Sequence, residues 1–261
     1  LRTDLKAAVA ANELTLAYQP IYDLNSGEIA GYEALLRWEH PVRGSVPPST
    51  FIPIAEESGL IVPLGCWVLQ RACEDVVAFQ QVGQAEQQHS LSVNISARQL
   101  HRIEIVDEVA DALRSSGLDP KRLVIEITES LLVDDIDLAI ERLSALRALG
   151  VRVAVDDFGT GYSSLNYIRR LPIDFLKIDK GFIDSVDRDD RDGKLIAAII
   201  GLAKVLELGC VAEGVERPAQ AERLKTLSCD FAQGFLFARP MTAGALRELL
   251  TASEPALAVA G

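Results

Sequence analysis

Cysteine is scarce, and the four present (Cys66, Cys73, Cys210 and Cys229) are scattered. No pair has zinc-finger spacing, which argues against a cysteine-held metal. Cys66 and Cys73 lie seven apart in a helical pattern with Leu69 and Val76, the placement of small core residues in a reducing compartment. Basic residues are also few, 26 Lys and Arg against 38 Asp and Glu, for a net charge of −12 and a pI near 4.8. A protein that coats a nucleic-acid polymer needs a basic face, so that class is excluded. An anionic small substrate is not, provided metal ions or a few placed arginines reverse the local field. Long apolar runs are missing: residues 195–208 come nearest to a span of about 18, and Lys204 and Glu207 interrupt them. No membrane insertion by this segment is therefore expected. The N-terminus lacks a signal-peptide pattern and reads as a helix.

What is present is the composition of a soluble globular protein, 49% hydrophobic and 25% charged. No repeat, linker or low-complexity tract divides the 261 residues. One domain over 1–250 is expected, with 251–261 as an Ala-rich mobile tail. The chain starts without Met, so it reads as a piece excised from a longer multidomain protein.

Strand patterns alternate with helical ones from end to end. The strands are expected at 14–20, 29–38, 91–95, 122–128, 151–157, 174–179, 210–214 and 230–234. Helical periodicity covers 60–81, 103–116, 135–149, 191–208, 217–227 and 242–251. The turn "DLNSGE" joins the first two strands as a hairpin, making that pair antiparallel. Eight strands with intervening helices favour an α/β fold of the TIM-like (β/α)8 barrel type over an open doubly wound sheet.

The polar residues support the barrel. Asn94, Glu126, Asp156, Asp157, Lys177, Glu213 and Gln233 fall at or near the C-terminal ends of their strands, which a barrel gathers on one rim. Singly each has a bland reading: Asp157 as the N-cap of a helix over 160–169, Glu126 as an ion-pair partner, Asn94 as a turn residue. Jointly, these acids face one lysine, and leaving them unpaired is costly. Carboxylates and one amide, without His or Cys, suit Mg²⁺ or Mn²⁺ rather than zinc. The adjacent Asp156 and Asp157 let one carboxylate bridge two ions, the arrangement for in-line attack by metal-activated water on a phosphodiester.

Lys177 is placed to orient or deprotonate that water, or simply to pair with a rim acid. Its use as a Schiff-base lysine is the rival chemistry, which has no need of metal-type ligands. The segment "DFGTGYSSL" lacks the last glycine of a dinucleotide loop and reads instead as a mobile loop beside the metals. Arg37 is a candidate phosphate-holding cation or a strand-edge ion pair. Phe235 stands either to stack on a base or to fill the core, and aromatic side chains pack more often than they stack.

Over nearly its whole length the chain resembles the EAL domain family of bacterial cyclic di-GMP phosphodiesterases. The matching segments are "YQPIYDL", "GYEALLRWEHP", "FIPIAEESGLI", "LSVNIS", "IEITES", "DDFGTGYSSL", "LKIDKGFI", "VAEGVE" and "QGFLFARP". The resemblance implies a TIM-like barrel with an antiparallel first strand and hydrolysis of cyclic di-GMP to linear pGpG with two Mg²⁺ or Mn²⁺ ions. By position, Glu33, Asn94, Glu126 and Asp156 match ligands of the first metal. Asp156 bridges to the second, with Asp157 beside it and Glu213 nearby. Lys177 matches the lysine that holds the catalytic water, and Gln233 a glutamine near it. Gln19, Leu36 and Arg37 match substrate contacts. Glu129 resembles the anchor of the loop 157–165, and Glu216 another support for it.

Departures are few: Lys180-Gly181 replaces a frequent Arg-Ser, and Val155 a common Leu. Some members bind cyclic di-GMP without cutting it but lack signature acids, and none is missing here. The resemblance also implies a homodimer through helix 191–208, a regulatory domain upstream in the parent protein, and a cytoplasmic location whether or not that parent is tethered to a membrane.

Overall fold

The computed structural model describes residues 1–8, 11, 13–80, 89–132, 135–159, 168–188 and 191–251. Most of the expected helix over 160–169, most of the loop 157–165 and nearly all of the expected tail lie outside these residues.

The first strand, β1 (Leu14–Asp23), turns back into β2 (Ile29–His40). The Asp23 carboxylate makes that turn by accepting from the backbone N–H groups of Asn25 and Ser26 at 2.8 and 2.9 Å, as aspartate does in Asx turns. A short β3 (Gly44–Val46) folds back on the end of β2. The strands β4 (Ser90–Asn94), β5 (Leu123–Thr128), β6 (Arg152–Phe158), β7 (Phe175–Ile178), β8 (Gly209–Ala212) and β9 (Phe231–Ala232) follow. From β2 through β4 to β9 each pairs in parallel with the next. The antiparallel β1 bridges β9 and β2 and closes the ring, giving the eight-stranded barrel expected from the sequence. A two-residue β10 (Met241–Thr242) borders the outside of β1. Buried on both faces, the parallel strands read as nearly continuous apolar runs, such as "LVIEIT".

Around the barrel lie α1 (Arg2–Ala8), α2 (Pro48–Ser58), α3 (Ile61–Gln80), α4 (Ala97–Leu100), α5 (Ile105–Ser116), α6 (Ile136–Ala148), α7 (Lys180–Ile183), α8 (Arg191–Val205), α9 (Pro218–Thr226) and α10 (Ala243–Thr251). Their apolar faces bury Val76, Phe79, Val109, Leu143, Ile200 and Leu224 against the outside of the strands. A second cluster forms where α1 and α2 cover Trp38, Phe51 and Val46 beside β2 and β3. The sequence reading contained neither α2 nor β3. Proline at positions 48 and 53 hides α2, yet Pro48 opens that helix, where its missing N–H costs nothing.

Several boundaries shift: β1 runs on to Asp23 rather than stopping at 20, and β8 stops at Ala212 rather than 214. The expected helix 191–208 ends at Val205, because Glu207 takes a left-handed φ of 58°. The expected strand 230–234 contracts to Phe231–Ala232, where Gly234 packs so closely on the Val215 backbone that a Cβ would lie 2.1 Å from its carbonyl oxygen. The strand 29–38 instead extends to His40. All four cysteines are free, and Cys73, Cys210 and Cys229 are buried.

Candidate active site

The strand ends deliver the side chains. Gln19 and Glu33 are opposite each other on β1 and β2, and Asn94 and Glu126 are cross-strand neighbours on β4 and β5. Asp156 and Asp157 come just before Phe158 at the end of β6, Lys177 sits on β7, and Glu213 and Gln233 each come one residue after their strand. All but Asp157, Asn94 and Glu213 are buried.

Lys177 is the hub, and its ammonium is 1% exposed. Its Nζ lies 2.6 Å from Glu126 Oε2, 2.6 Å from Glu213 Oε1, 3.3 Å from Asp156 Oδ1 and 3.6 Å from Glu33 Oε2. Asn94 Nδ2 donates to Glu33 Oε1 at 2.8 Å, and Gln233 Nε2 donates to Glu33 Oε2 at 2.8 Å and to Gln19 Oε1 at 2.9 Å. Gln19 in turn donates to the Ala238 carbonyl at 3.0 Å. Gln233 Oε1 is buried without a hydrogen-bond partner among the described residues.

One lysine does not neutralise five carboxylates. Burial works against the Lys177 charge, but Glu126, Glu213, Glu33 and Asp156 outweigh it and raise its pKa well above the usual value. Burial pushes the Glu126 carboxyl well above the carboxylate range, reinforced by Glu33 and Asp156, and raises Glu213 to about 8. Asp157 is raised by burial and then by its neighbour Asp156. Burial also opposes the Glu33 charge, yet Lys177, Gln233 and Asn94 prevail and lower its pKa. The site is short of positive charge.

The donor set fits hard divalent cations. Carboxylate oxygens of Asp156, Asp157 and Glu213 all lie within 4.8 Å of one another, and oxygen-only donors of this kind suit hard divalent ions better than softer ones. Asp157 holds a left-handed φ of 54°, with its N–H donating to Asp156 Oδ1 at 2.9 Å. A non-glycine residue in that region is a cost that folded structure tends to carry at functional sites.

The supporting residues divide. Glu129 Oε2 accepts the Gly159 N–H at 2.7 Å, holding the start of the loop; a Cβ on Gly159, whose φ is 98°, would meet the Phe182 ring at 2.7 Å. Glu216 pairs with Lys180 at 3.0 Å, and Lys180 with Asp184 at 3.0 Å, which ties Glu216 to α7; most of the loop 157–165 that it was expected to support lies outside the described residues. Leu36, Arg37 and Asn94 line a cleft of about 560 Å³ that continues past Glu56, Leu64 and Gln99 between α2, α3 and α4. Arg37 Nη1 donates to the Leu36 carbonyl at 2.9 Å. Phe235 is 49% exposed and so is no core residue. The guanidinium of Arg239 lies 4.3 Å from its ring centroid. Arg239 and the cleft residue Glu56 were missed; the four-residue spacing from Phe235 was the trace of Arg239 in the sequence, and Glu56 left none.

The EAL domain model matches residues 2–240. The chain belongs to the EAL domain family. It is 44% identical over 252 residues to the cyclic di-GMP phosphodiesterase NbdA of Pseudomonas aeruginosa, covering 97% of this chain and 32% of that protein. It is 45% identical over 240 residues to the bifunctional diguanylate cyclase/cyclic di-GMP phosphodiesterase MucR of the same organism, covering 92% of this chain and 35% of that one. The solved structure of the PaMucR phosphodiesterase in complex with c-di-GMP superposes with a TM-score of 0.88 at 45% identity, over 94% of this chain and 98% of that one. This EAL chain spans about a third of the length of the curated relatives it matches.

Proposed function

We propose that this EAL domain is a metal-dependent phosphodiesterase that hydrolyses cyclic di-GMP to linear pGpG. The observation that carries the reading is the buried Lys177 facing Glu33, Glu126, Asp156 and Glu213, with Asp157 adjoining, an excess of negative charge joined to the cleft through Asn94, which lines the cleft and donates to Glu33. The relatives named for this activity, and the complex with c-di-GMP, support the choice of substrate.

Glu33, Asn94, Glu126, Asp156, Asp157 and Glu213 would hold two Mg²⁺ or Mn²⁺ ions. Bound there, such ions supply Lewis-acid charge to phosphoryl oxygens and lower the pKa of water. Lys177 orients the attacking water through Nζ and offers positive charge to the transition state. Gln233 spends both Nε2 hydrogens on Gln19 and Glu33, which aims its unpartnered Oε1 as an acceptor for one hydrogen of that water. Arg37 and Leu36 hold the substrate at the cleft, with Gln19 fixing the neighbouring wall and Phe235 offering a face to a base. Attack forms one P–O bond as the P–O3′ bond breaks, opening the ring.

We also place a homodimer contact on the outer face of α8, where Leu195 and Val205 are 47% and 80% exposed beside the exposed Ala198 and Gly201. A cytoplasmic location and a regulatory domain upstream in the parent protein complete the reading.

The test is product analysis after incubation with cyclic di-GMP and Mg²⁺ or Mn²⁺, beside a metal-free reaction and a Glu33→Ala variant. Metal-dependent pGpG that disappears in Glu33→Ala supports the reading. Tight binding without product under either metal replaces it with a receptor.

A further inference from the structure

The opposite end of the barrel holds a second cavity. Barrels of this class normally fill their axis with layers of side chains. Here small residues at inward positions, Ala30 on β2, Ser90 and Ser92 on β4 and Ala154 on β6, leave about 140 Å³ inside the N-terminal half. The exposure of the lining residues gives the direction of this space. Ala30, Ser90, Arg152, Phe175 and Phe231 are partly exposed, whereas Ser92, Ala154, Glu126 and Lys177 are buried. The cavity therefore opens at the floor of the barrel and ends beneath the Lys177–Glu126 pair, whose charged atoms are 2.6 Å apart.

Its polar groups are unevenly satisfied. Ser90 Oγ donates to the Ala30 carbonyl at 3.2 Å. Arg152 lies 5.1 Å from the centroid of the Phe175 ring, and its Nε is buried with no hydrogen-bond partner among the described residues. A buried guanidinium N–H left unpaired is costly. Water is retained in a cavity that is roomy and offers two to four polar partners, and 140 Å³ accommodates several molecules.

We infer that the barrel floor is a water-binding site: a hydrated duct in which water links Arg152 Nε and the Ser92 hydroxyl to the underside of the Lys177–Glu126 pair. Water suits it better than an oxyanion. The inner end is bordered by Glu126, with Glu33, Asp156 and Glu213 around the same lysine, so a second anion entering from below is repelled. Water carries no such penalty and offsets part of the desolvation cost of burying these charges. The duct also lets water exchange with the buried cluster from the side that a ligand on the rim does not cover.

The decisive measurement is high-resolution diffraction from crystals of the unaltered chain grown in phosphate- and sulfate-free medium, with one set pressurised with xenon. Ordered water within hydrogen-bond distance of Arg152 Nε and Ser92 Oγ, with xenon excluded, is the expected result. Xenon in the cavity, featureless density, or a larger anion against Arg152 overturns the inference. An Ala154→Leu variant supplies a solution readout. Filling a dry apolar cavity raises Tm, whereas displacing water that hydrates a buried ion pair lowers it. A fall of a few degrees is expected, and a rise counts against the duct. The milder Ser92→Ala variant removes one water partner without adding bulk; with the duct wet, it weakens or removes the water density nearest Ser92, and unchanged density there overturns the proposed link.

Discussion

The two ends of one barrel are built from the same strands and the same in–out alternation, yet they hold charge in opposite ways. At the rim, Glu33, Glu126, Asp156, Asp157 and Glu213 converge on Lys177, and several of these carboxyls are pushed upward. At the floor, Arg152 lies over the Phe175 ring in a cavity that Ser90 and Ser92 also line, while Arg122 caps the His89 carbonyl. The floor places its arginines against aromatic and backbone partners and leaves Arg152 Nε to the proposed water, while the rim is incomplete until positive charge arrives. That contrast separates a region built for stability from one built to bind. The largest break in it is Lys177→Met, which removes the ammonium at the centre of the rim cluster. Activity should fall by about 10²–10⁴. Without added metal, stability should fall by about 3–5 kcal/mol, as when one partner of a buried pair is lost. Product chromatography and urea melts check the two effects.

Metal removal sharpens the same contrast. A cation that binds only the folded chain at 100 times its Kd adds about 2.7 kcal/mol, or roughly 5–10 °C in Tm for a chain of this size. Mn²⁺ titration in a thermal melt should show that rise, EDTA should reverse it, and Asp157→Asn should largely abolish it. Arg152→Met, at the floor, should leave the increment intact, and its loss there would break the division between the two ends.

Much of this was legible from residue types. Alternation and turn chemistry were enough for the eight strands, and the "DLNSGE" turn for the antiparallel start, because the Asp23 side chain builds that turn locally. Strand-end position brought Glu126, Asp156, Lys177 and Glu213 to one rim. Glu33 was different: as one acid in a half-apolar strand it had no local signal, and it emerged only from the family resemblance. The helix α2 was hidden because proline reads as a breaker unless its place in the first turn is recognised. Phe235 and Arg239 meet by tertiary placement, and the floor cavity arises from small residues on β2, β4 and β6 whose shared absence of bulk no single strand reveals.

His89, just before β4, gives a floor-specific pH dependence. Burial, then the nearby Arg122 charge, lowers its pKa to about 4, while its Nδ1 contacts the Tyr32 hydroxyl at 2.7 Å. The unfolded chain binds this proton near pH 6.5 and the folded chain only near 4. The stabilising contribution is therefore complete above about 6.5, declines as pH falls, and is gone below about 4. Between pH 7 and 5 the loss is about 2 kcal/mol. Urea melts at the two pH values should show this increment in the unaltered chain and not in His89→Gln. An equal slope in both would assign the acid sensitivity to the rim carboxylates.

The smallest effect comes from one chemical pair that occurs at both ends. Arg239 covers Phe235 at 4.3 Å on the rim, and Arg152 covers Phe175 at 5.1 Å on the floor. Phe175 also meets the Phe231 ring edge-on at 6.1 Å and so belongs to the packing of the floor, whereas Phe235 is half exposed and is proposed to offer its face to the substrate. Phe175→Ala should then cost on the order of 2–3 kcal/mol of stability with KM unchanged. Phe235→Ala should leave stability nearly untouched and raise KM for cyclic di-GMP about 2–5-fold at constant kcat, the scale of one exposed cation–π or stacking contact. Loss of uniform binding moves KM alone. Equal KM values in the two variants would mean that Phe235 serves only to seat Arg239.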